Sequence, residues 1–112
     1  MAYNTKRTLV FIETKGFTQL VKEYLSDEEY GELQQYIIKN PEVGKIIRSS
    51  GGVRKVRWAR EGMGKSGGVR AIYYWAKLRD QVYMLTMYSK SEKENIDKKT
   101  LSRIAKELEG IR

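Results

Sequence analysis

Three β-strand patterns follow one another closely in the second half of this 112-residue sequence. They cover Val53–Arg60, Val69–Lys77 and Gln81–Ser89, and each is rich in β-branched and aromatic residues. Neighbouring strands with short connections pair antiparallel, because a parallel pair needs a long crossover between its strands. The chain is therefore expected to fold around a small, twisted antiparallel sheet.

Two helices are expected before this sheet. A short β-rich run, Thr8–Ile12, predicts a first strand, and apolar residues then recur at helical spacing over residues 17–25. Ser26–Glu29 has the pattern of a capping box, in which the first and last residues satisfy each other's backbone N–H groups at a helix start. This second helix should end at Asn40, because Pro41 disfavours a helical conformation in the residue before it.

One further helix is expected after the sheet. It begins near Asp97 and has Leu101, Ile104 and Leu108 along one face. A chain of 112 residues, without internal repeats or linkers, has room for a single domain and excludes two-domain and barrel enzymes. The prediction is one α+β domain over residues 1–112, with two N-terminal helices and one C-terminal helix packed against the sheet.

Positive charge is concentrated in the middle of the chain. The sequence has 22 Lys and Arg residues against 14 Asp and Glu residues, a net charge of +8. Residues 45–79 contain ten of the basic residues and a single acid, Glu61. Such a concentration attracts polyanions, of which nucleic acid and anionic membranes are the usual candidates. Nucleic acid is favoured here, because the basic segment is strand-like rather than an amphipathic helix.

The sequence contains neither cysteine nor histidine. Thiol catalysis, disulfides, cysteine zinc sites and imidazole acid–base chemistry are therefore excluded. The sequence shows no cluster of carboxylates suited to bind a metal, so no metal or other cofactor is expected. Any chemistry must use Lys, Arg, Tyr, Ser or carboxylates. No apolar run is long enough to span a membrane, and the first eight residues carry no secretory pattern, so a cytoplasmic location is expected.

Basic side chains of the predicted strands are expected to converge. Lys55 and Arg57 lie on the same face of their strand, about 6–7 Å apart, and Val56 and Trp58 lie on the other face. Two adjacent cations repel, so the pair favours a polyanionic ligand, although an acid from another element could also neutralise it. The nearby aromatic residues are interpreted as packing rather than as base-stacking platforms. The expected cluster consists of Lys55, Arg57, Lys65, Arg70, Tyr88 and Lys90.

Three sequence blocks resemble one known family. They are Gly51–Arg60 (GGVRKVRWAR), Gly64–Tyr74 (GKSGGVRAIYY) and Tyr83–Glu94 (YMLTMYSKSEKE). Together they are similar to the RelE/HigB toxin superfamily, in particular its HigB branch, and the resemblance covers nearly the whole chain. It implies a bacterial type II toxin that cleaves mRNA in the ribosomal A site. It also implies a cognate antitoxin that silences the toxin, in this branch often a helix-turn-helix protein of the HigA type.

The resemblance also assigns roles to residues. The basic pair of the family corresponds to Lys55 and Arg57, its strand arginine to Arg70, and its basic residue after the last strand to Lys90. RelE uses a further tyrosine slightly beyond that position, where this chain has Ile96, and Tyr88 is the candidate replacement. The candidate catalytic residues are Lys55, Arg57, Arg70, Tyr88 and Lys90. The residues expected to bind RNA around them are Arg48, Arg54, Arg60 and Lys65.

RNA cleavage of this kind starts when a 2′-hydroxyl attacks the neighbouring phosphorus. Arg57 and Arg70 suit the stabilisation of the resulting dianion, because guanidinium groups bind phosphate oxygens bidentately and keep their charge. Lys55 is the candidate base, provided that neighbouring cations lower its pKa from about 10.4 to about 8, which requires roughly 3 kcal/mol. Tyr88 or Lys65 is the candidate proton donor. The predicted enzyme is a metal-independent endoribonuclease.

Two other functions remain open. A non-catalytic protein that binds RNA or the ribosome could use the same basic sheet, and its basic residues would then act additively through salt-dependent affinity. A gyrase poison of the related ParE branch would bind a protein target, although it needs no phosphate-cleaving cluster. A nuclease differs from the non-catalytic binder, because single substitutions in its site abolish cleavage while binding largely survives.

Overall fold

One five-stranded sheet organises the computed structural model, which describes residues 8–59, 68–92 and 95–111. Its strands are β1 (Val10–Glu13), β2 (Lys45–Ile46), β3 (Arg54–Trp58), β4 (Val69–Ala76) and β5 (Gln81–Ser89). They lie side by side in the order β1-β5-β4-β3-β2. The α-helices are α1 (Lys15–Tyr24), α2 (Asp27–Lys39) and α3 (Lys98–Leu108), and a 3-10 turn over Lys77–Arg79 joins β4 to β5. The predicted α+β class, with two helices before the main strands and one after them, is confirmed.

The sheet is mixed rather than wholly antiparallel. The strands from β2 to β5 pair antiparallel with their neighbours, as predicted for the three that follow one another closely. β1 instead pairs parallel to β5, with Val10 opposite Gln81. The prediction of an antiparallel sheet is corrected at this edge, because the long connection through the helices lets β1 lie beside the last strand. The two residues of β2 are too few to show a strand period, so the sequence does not predict this edge strand.

Each α-helix begins after a side chain that caps it. At α1, the Thr14 hydroxyl oxygen accepts a hydrogen bond from the backbone N–H three residues later. At α2, both halves of the capping box form: the Glu29 N–H donates to Ser26 Oγ at 3.1 Å, and the Ser26 N–H donates to Glu29 Oε1 at 2.8 Å. At α3, the Asp97 carboxylate accepts from the N–H three residues later. The predicted starts of α2 and α3 are confirmed.

The helices cover both faces of the sheet and form two hydrophobic cores. α1 and α2 pack on one face, where Phe17, Leu33 and Ile37 are fully buried in the first core. α3 packs on the other face, where Ile104 and Leu108 are buried in the second core. Because both faces of the sheet are covered, successive side chains of a strand alternate between the two cores, which decides the face that each candidate residue occupies.

Within the described ranges, no helix has the length and apolarity needed to cross a membrane.

A register shift in β5 decides which way Tyr88 points. The pairing of β4 with β5 slips between Ile72 and Tyr73, and Leu85 is the extra residue on β5. A regular strand would put residues three apart on opposite faces. Because of the bulge, Leu85 and Tyr88 both belong to the second core. Tyr88 thereby lies on the same face as Arg70, its partner on β4.

Tyr73 fixes the segment that leads from α2 into β2. Its buried hydroxyl donates to the Pro41 carbonyl at 2.8 Å and accepts from the Gly44 N–H at 2.9 Å. Glycine is needed at position 44, because a Cβ atom there would lie 2.8 Å from Tyr73 Cε1. These contacts hold β2 beside β3 and place Lys45 opposite Lys55.

Candidate active site

A row of three side chains crosses the sheet near the end of β3. Arg57 lies opposite Arg70 on β4, and Arg70 lies opposite Tyr88 on β5. The row is on the face of the sheet that α3 covers. Opposed like charges destabilise a sheet, because the Cβ atoms of such a pair are only about 5 Å apart. The row is therefore costly to stability unless an anion joins it.

A cavity of about 430 Å³ opens beside this row, and we call it the first cavity. Two of its lining residues, Lys90 just after β5 and Gly68 just before β4, are joined by a hydrogen bond. The Lys90 N–H donates to the Gly68 carbonyl at 3.2 Å. Its described lining residues are Arg57, Trp58, Ala59, Gly68, Arg70 and Lys90. Three of them are cations and none is an acid, so the cavity suits an anionic group such as a phosphodiester.

Arg70 is the buried cation of the first cavity. It is 4% exposed, and its Nε atom is buried without a hydrogen-bond partner. Among the described residues, no carboxylate forms an ion pair with it. Burying an unpaired charge costs on the order of several kcal/mol, so Arg70 lowers the stability of the empty protein. A phosphate in the cavity would supply both the missing acceptor and the negative charge.

Lys90 reaches the first cavity from a turn that Glu92 closes. The backbone N–H and the hydroxyl of Ser89 donate to Glu92 Oε1 at 3.1 and 2.9 Å. The Tyr24 hydroxyl, at the end of α1, donates to the same oxygen. The side chain of Lys90 is exposed. The turn therefore ties α1 to the end of β5 and holds a solvent-accessible ammonium beside the cavity.

Two comparisons with known proteins agree with this fold. The family model for the RelE toxin of RelE/RelB toxin–antitoxin systems matches residues 8–111. The chain belongs to the RelE toxin family. Among solved structures, a double arginine-to-alanine mutant of the E. coli toxin RelE in the free state is similar, with a TM-score of 0.61 and 12% sequence identity. That match covers 89% of this chain and 97% of the E. coli chain, so the two share a fold.

The family match confirms the predicted resemblance to RelE toxins, whereas the HigB branch stays a prediction. In this RelE family toxin, three of the predicted catalytic residues, Arg57, Arg70 and Lys90, line one cavity. Lys55 shares their face of the sheet, but its Nζ donates to Asn95 Oδ1 at 3.1 Å and it lines a different cavity. We call this the second cavity.

The resemblance to RelE predicts that a tyrosine takes part in the site. Tyr88, the candidate replacement, is 3% exposed in the second core and does not line the first cavity. It lies directly opposite Arg70 on the neighbouring strand. Ile96, at the position where the resemblance places the RelE tyrosine, packs against the same core. No described tyrosine therefore lines the first cavity.

The four predicted RNA-binding residues do not form one cluster in this RelE toxin. Arg48 is exposed and lines the second cavity. Arg54 lies on the other face of β3, where its Nη1 donates to the carbonyls of Glu42 and Gly44 at 3.0 and 2.8 Å. Its Nη2 also lies 3.5 Å from the Glu42 carboxylate, so its contacts are with its own fold. The remaining two, Arg60 and Lys65, lie outside the described residues.

The sequence does not identify three residues that join Lys55 in the second cavity. They are Lys45, Asn95 and Lys98. Lys45 is visible as a basic residue, but its position opposite Lys55 depends on β2, which the sequence does not predict. Asn95 is 40 residues from Lys55, so no local pattern connects the two.

Proposed function

We propose that this RelE family toxin is an endoribonuclease that cleaves mRNA in the A site of the ribosome. The observation that carries the proposal is the position of Arg70. This cation is buried, and it lines the same cavity as Arg57 and Lys90. A cation with only a structural role in so buried a place would be paired with an acid. A phosphodiester is the ligand whose charge and oxygen geometry two arginines fit best.

Cleavage begins when the ribose 2′-oxygen attacks the adjacent phosphorus. The new bond joins the 2′-oxygen to phosphorus, and the bond from phosphorus to the 5′-oxygen breaks, which leaves a 2′,3′-cyclic phosphate and a 5′-hydroxyl. Arg57 and Arg70 donate to the non-bridging oxygens, on which negative charge grows in the pentacovalent state. Because Arg70 is already buried and fixed, little reorganisation is needed as that charge develops.

Lys90 is the proton donor in this proposal. Of the described cations of the first cavity it is the one that can release a proton, whereas the arginines keep theirs. Its ammonium protonates the departing 5′-oxygen, and the proton of the 2′-hydroxyl passes to water. Lys55, the predicted base, points to Asn95 instead. No step requires a metal, so metal independence is part of the proposal.

The ribosome supplies the positioning that this small site lacks. In-line attack requires the RNA to be held on both sides of the scissile bond. Three cations in one cavity hold a phosphate, and a messenger fixed in the A site presents that phosphate in one orientation. The proposal therefore includes ribosome dependence. The resemblance to the HigB branch adds neutralisation by a cognate antitoxin, a helix-turn-helix protein of the HigA type, and action in the cytoplasm.

In vitro translation of a defined mRNA, followed by mapping of new 5′ ends, tests this function. The three proteins to compare are the wild type, Arg70→Met and the control Arg79→Met. Both substitutions remove one positive charge, but Arg79 is exposed in the turn between β4 and β5, at the other end of β4 from the first cavity. We expect cuts at A-site codons with the wild type and the control, and at least about 100-fold less cleavage with Arg70→Met.

Other outcomes identify the alternatives. Blocked translation with an intact mRNA would favour a non-catalytic protein that binds RNA or the ribosome. Normal translation would overturn the proposal, and inhibition of gyrase supercoiling by the same protein would then favour a ParE-like poison.

A further inference from the structure

A second pair of opposed cations lies next to the first pair. Lys45 on β2 is directly opposite Lys55 on β3, so one face of the sheet holds two cross-strand pairs of like charge. Opposed like charges repel at short range, so pairs of this kind favour an anionic ligand. Lys55 is half-buried, so solvent screens its charge only in part.

The two lysines line the second cavity, which has a volume of about 320 Å³ and lies between β2, β3 and the start of α3. Arg48 and Lys98 add two further cations to its lining, and none of the described lining residues is an acid. The rest of the lining is largely apolar and includes Ile47 and Ile96, which pack against the second core. The cavity therefore offers a cationic wall to an anion and an apolar wall to an uncharged group.

We propose that the second cavity binds the nucleotide next to the cleaved phosphodiester. This inference rests on the proposed function, because it assigns a second subsite for the same RNA substrate. The phosphate of the flanking nucleotide contacts Lys45 and Lys55, and its ribose or base lies against Ile47 and Ile96. A nucleotide fits both walls, because its phosphate is anionic and its ribose and base are uncharged. Inorganic phosphate would contact only the cationic wall.

The two cavities are neighbours along β3. Lys55 lines the second cavity and Arg57 lines the first, on the same face of the strand with one residue between them. Such side chains are about 6.6 Å apart along a strand, so one extended RNA strand can place consecutive phosphates on the two cations. This continuity with the first cavity favours RNA over an acidic protein segment as the occupant.

The other face of the sheet is less suited to RNA. A groove on that side runs between α2 and Trp58, and its lining includes Glu28 and Glu32. These carboxylates repel a phosphate backbone, because like charges repel. Of the two faces, the one that carries both cation pairs is therefore the path for RNA.

Lys55 has a different role in the second cavity from the one that the sequence predicts. Its predicted role is that of the base, but its hydrogen bond to Asn95 and its place in the second cavity make it a binding residue for the flanking nucleotide. A residue that binds substrate acts mainly on KM, whereas a base acts on kcat and on the shape of the pH–rate profile. The two roles can therefore be separated by experiment.

Titration with short, non-cleavable RNA tests the subsite without relying on cleavage. The probes are a 2′-O-methyl dinucleotide with one phosphodiester and the same dinucleotide extended by one nucleotide on its 5′ or its 3′ side. In NMR spectra of the nitrogen-15-labelled toxin, an extended probe should shift the backbone signals of Ile47 and Ile96, and the dinucleotide should not. Replacing both Lys45 and Lys55 with Met should weaken binding of that extended probe about 10-fold or more and change binding of the dinucleotide less than about twofold.

The matched control replaces Lys22 and Lys39 with Met, which removes the same charge from α1 and α2 on the other face. It should change the affinity for either probe by less than about twofold. The proposal is overturned if no extended RNA moves the signals of Ile47 and Ile96, or if the control weakens binding as much as the double variant does. It is also overturned if an acidic glutamate–isoleucine peptide moves these signals and RNA does not, because the cavity then takes a protein.

Cleavage kinetics separate this inference from the proposed function. Lys55→Met should raise KM about 10-fold and change kcat by less than about twofold. A fall in kcat of about 100-fold, with loss of the ascending limb of the pH–rate profile, would make Lys55 the base and overturn the inference while the proposed function stands. If the wild-type toxin cleaves no mRNA, the proposed function fails, and the NMR titration still decides whether the subsite exists.

Discussion

Arg57 on β3 and Arg70 on β4 are direct cross-strand partners, and Arg70 is buried as well as opposed by a like charge. The pair therefore combines electrostatic repulsion with the desolvation of one of its members. Among the described residues that line the first cavity, no acid offsets either effect. A protein that keeps such an arrangement gives up stability in order to bind its ligand.

Arg70→Met should therefore raise the free energy of unfolding by roughly 1–4 kcal/mol while it abolishes cleavage. Methionine is apolar and flexible enough to fill the space near β4 without placing a charge there. Urea unfolding followed by tryptophan fluorescence measures the change, and the midpoint should move to a higher urea concentration. The exposed control, Arg79→Met, should change the free energy by less than about 0.5 kcal/mol. A lower midpoint for Arg70→Met would mean that the guanidinium stabilises the empty protein.

Inorganic phosphate should stabilise the folded toxin through the first cavity. At ten times its dissociation constant, a ligand that binds only the folded state adds about 1.4 kcal/mol, which raises the melting temperature by about 5 °C in a domain of this size. Thermal unfolding in phosphate and in chloride of equal ionic strength measures this difference. Arg57→Ala should remove most of it, because one of the two guanidinium groups is then missing. An equal rise in the variant would assign the effect to the bulk salt.

Two glycines should respond in opposite ways to replacement by alanine. In Gly44→Ala the new Cβ would lie 2.8 Å from Tyr73 Cε1 and 2.9 Å from its hydroxyl oxygen, so the free energy of unfolding should fall by about 1–3 kcal/mol. Gly31 lies inside α2 with nothing within 4 Å of a Cβ, so Gly31→Ala should raise it by up to about 1 kcal/mol. Urea unfolding of both variants provides the measurement. If both substitutions changed the free energy of unfolding in the same direction, the close approach of Tyr73 to position 44 would be contradicted.

Tyr30 should make the fold sensitive to alkaline pH. Its hydroxyl donates to Glu13 Oε2 at 2.8 Å, and burial, together with the hydrogen bond to Glu13 and its negative charge, raises the pKa of this phenol. In the unfolded chain the phenol has the ordinary tyrosine pKa of about 10. The folded protein therefore keeps this proton above about pH 10, where the unfolded chain releases it. Stability from this group is fully present below that pH and falls above it, by up to about 1.4 kcal/mol per pH unit.

Urea unfolding between about pH 9 and pH 11 tests the effect of Tyr30. Tyr30→Phe has no proton to lose, so its free energy of unfolding should fall less steeply with pH than that of the wild type. Parallel curves for the two proteins would show that the phenol does not contribute.

Local signals in the sequence predict the helix starts and the central strands. The caps of α2 and α3 use side chains within four residues of the groups that they bind, and both starts are confirmed. The position of β1 is different, because nothing in Val10–Glu13 distinguishes β5 from the other strands as its partner. That pairing depends on how α1 and α2 pass over the sheet, which is a property of the packed molecule.

The candidate site is predictable where the strands are regular. Alternation along β3 places Lys55 and Arg57 on one face, and the hairpin brings Arg70 opposite Arg57. The bulge at Leu85 and the burial of Arg70 depend on the packing of the whole sheet, so spacing alone does not reveal them. The partner of Lys55, Asn95, comes from a distant segment. The catalytic roles of these residues stay predictions until variants are measured.

The parallel pairing of β1 with β5 has a consequence for the time at which the toxin becomes active. Thr14, which follows β1, bonds to Leu85 of β5, 71 residues further along the chain. During synthesis, β1 has no partner strand, and Arg70 has no Tyr88 beside it, until the last strand has been made. Contacts between such distant residues also form slowly. A nascent chain therefore passes most of its synthesis without the proposed active site, and an antitoxin produced at the same time can meet the toxin before that site exists.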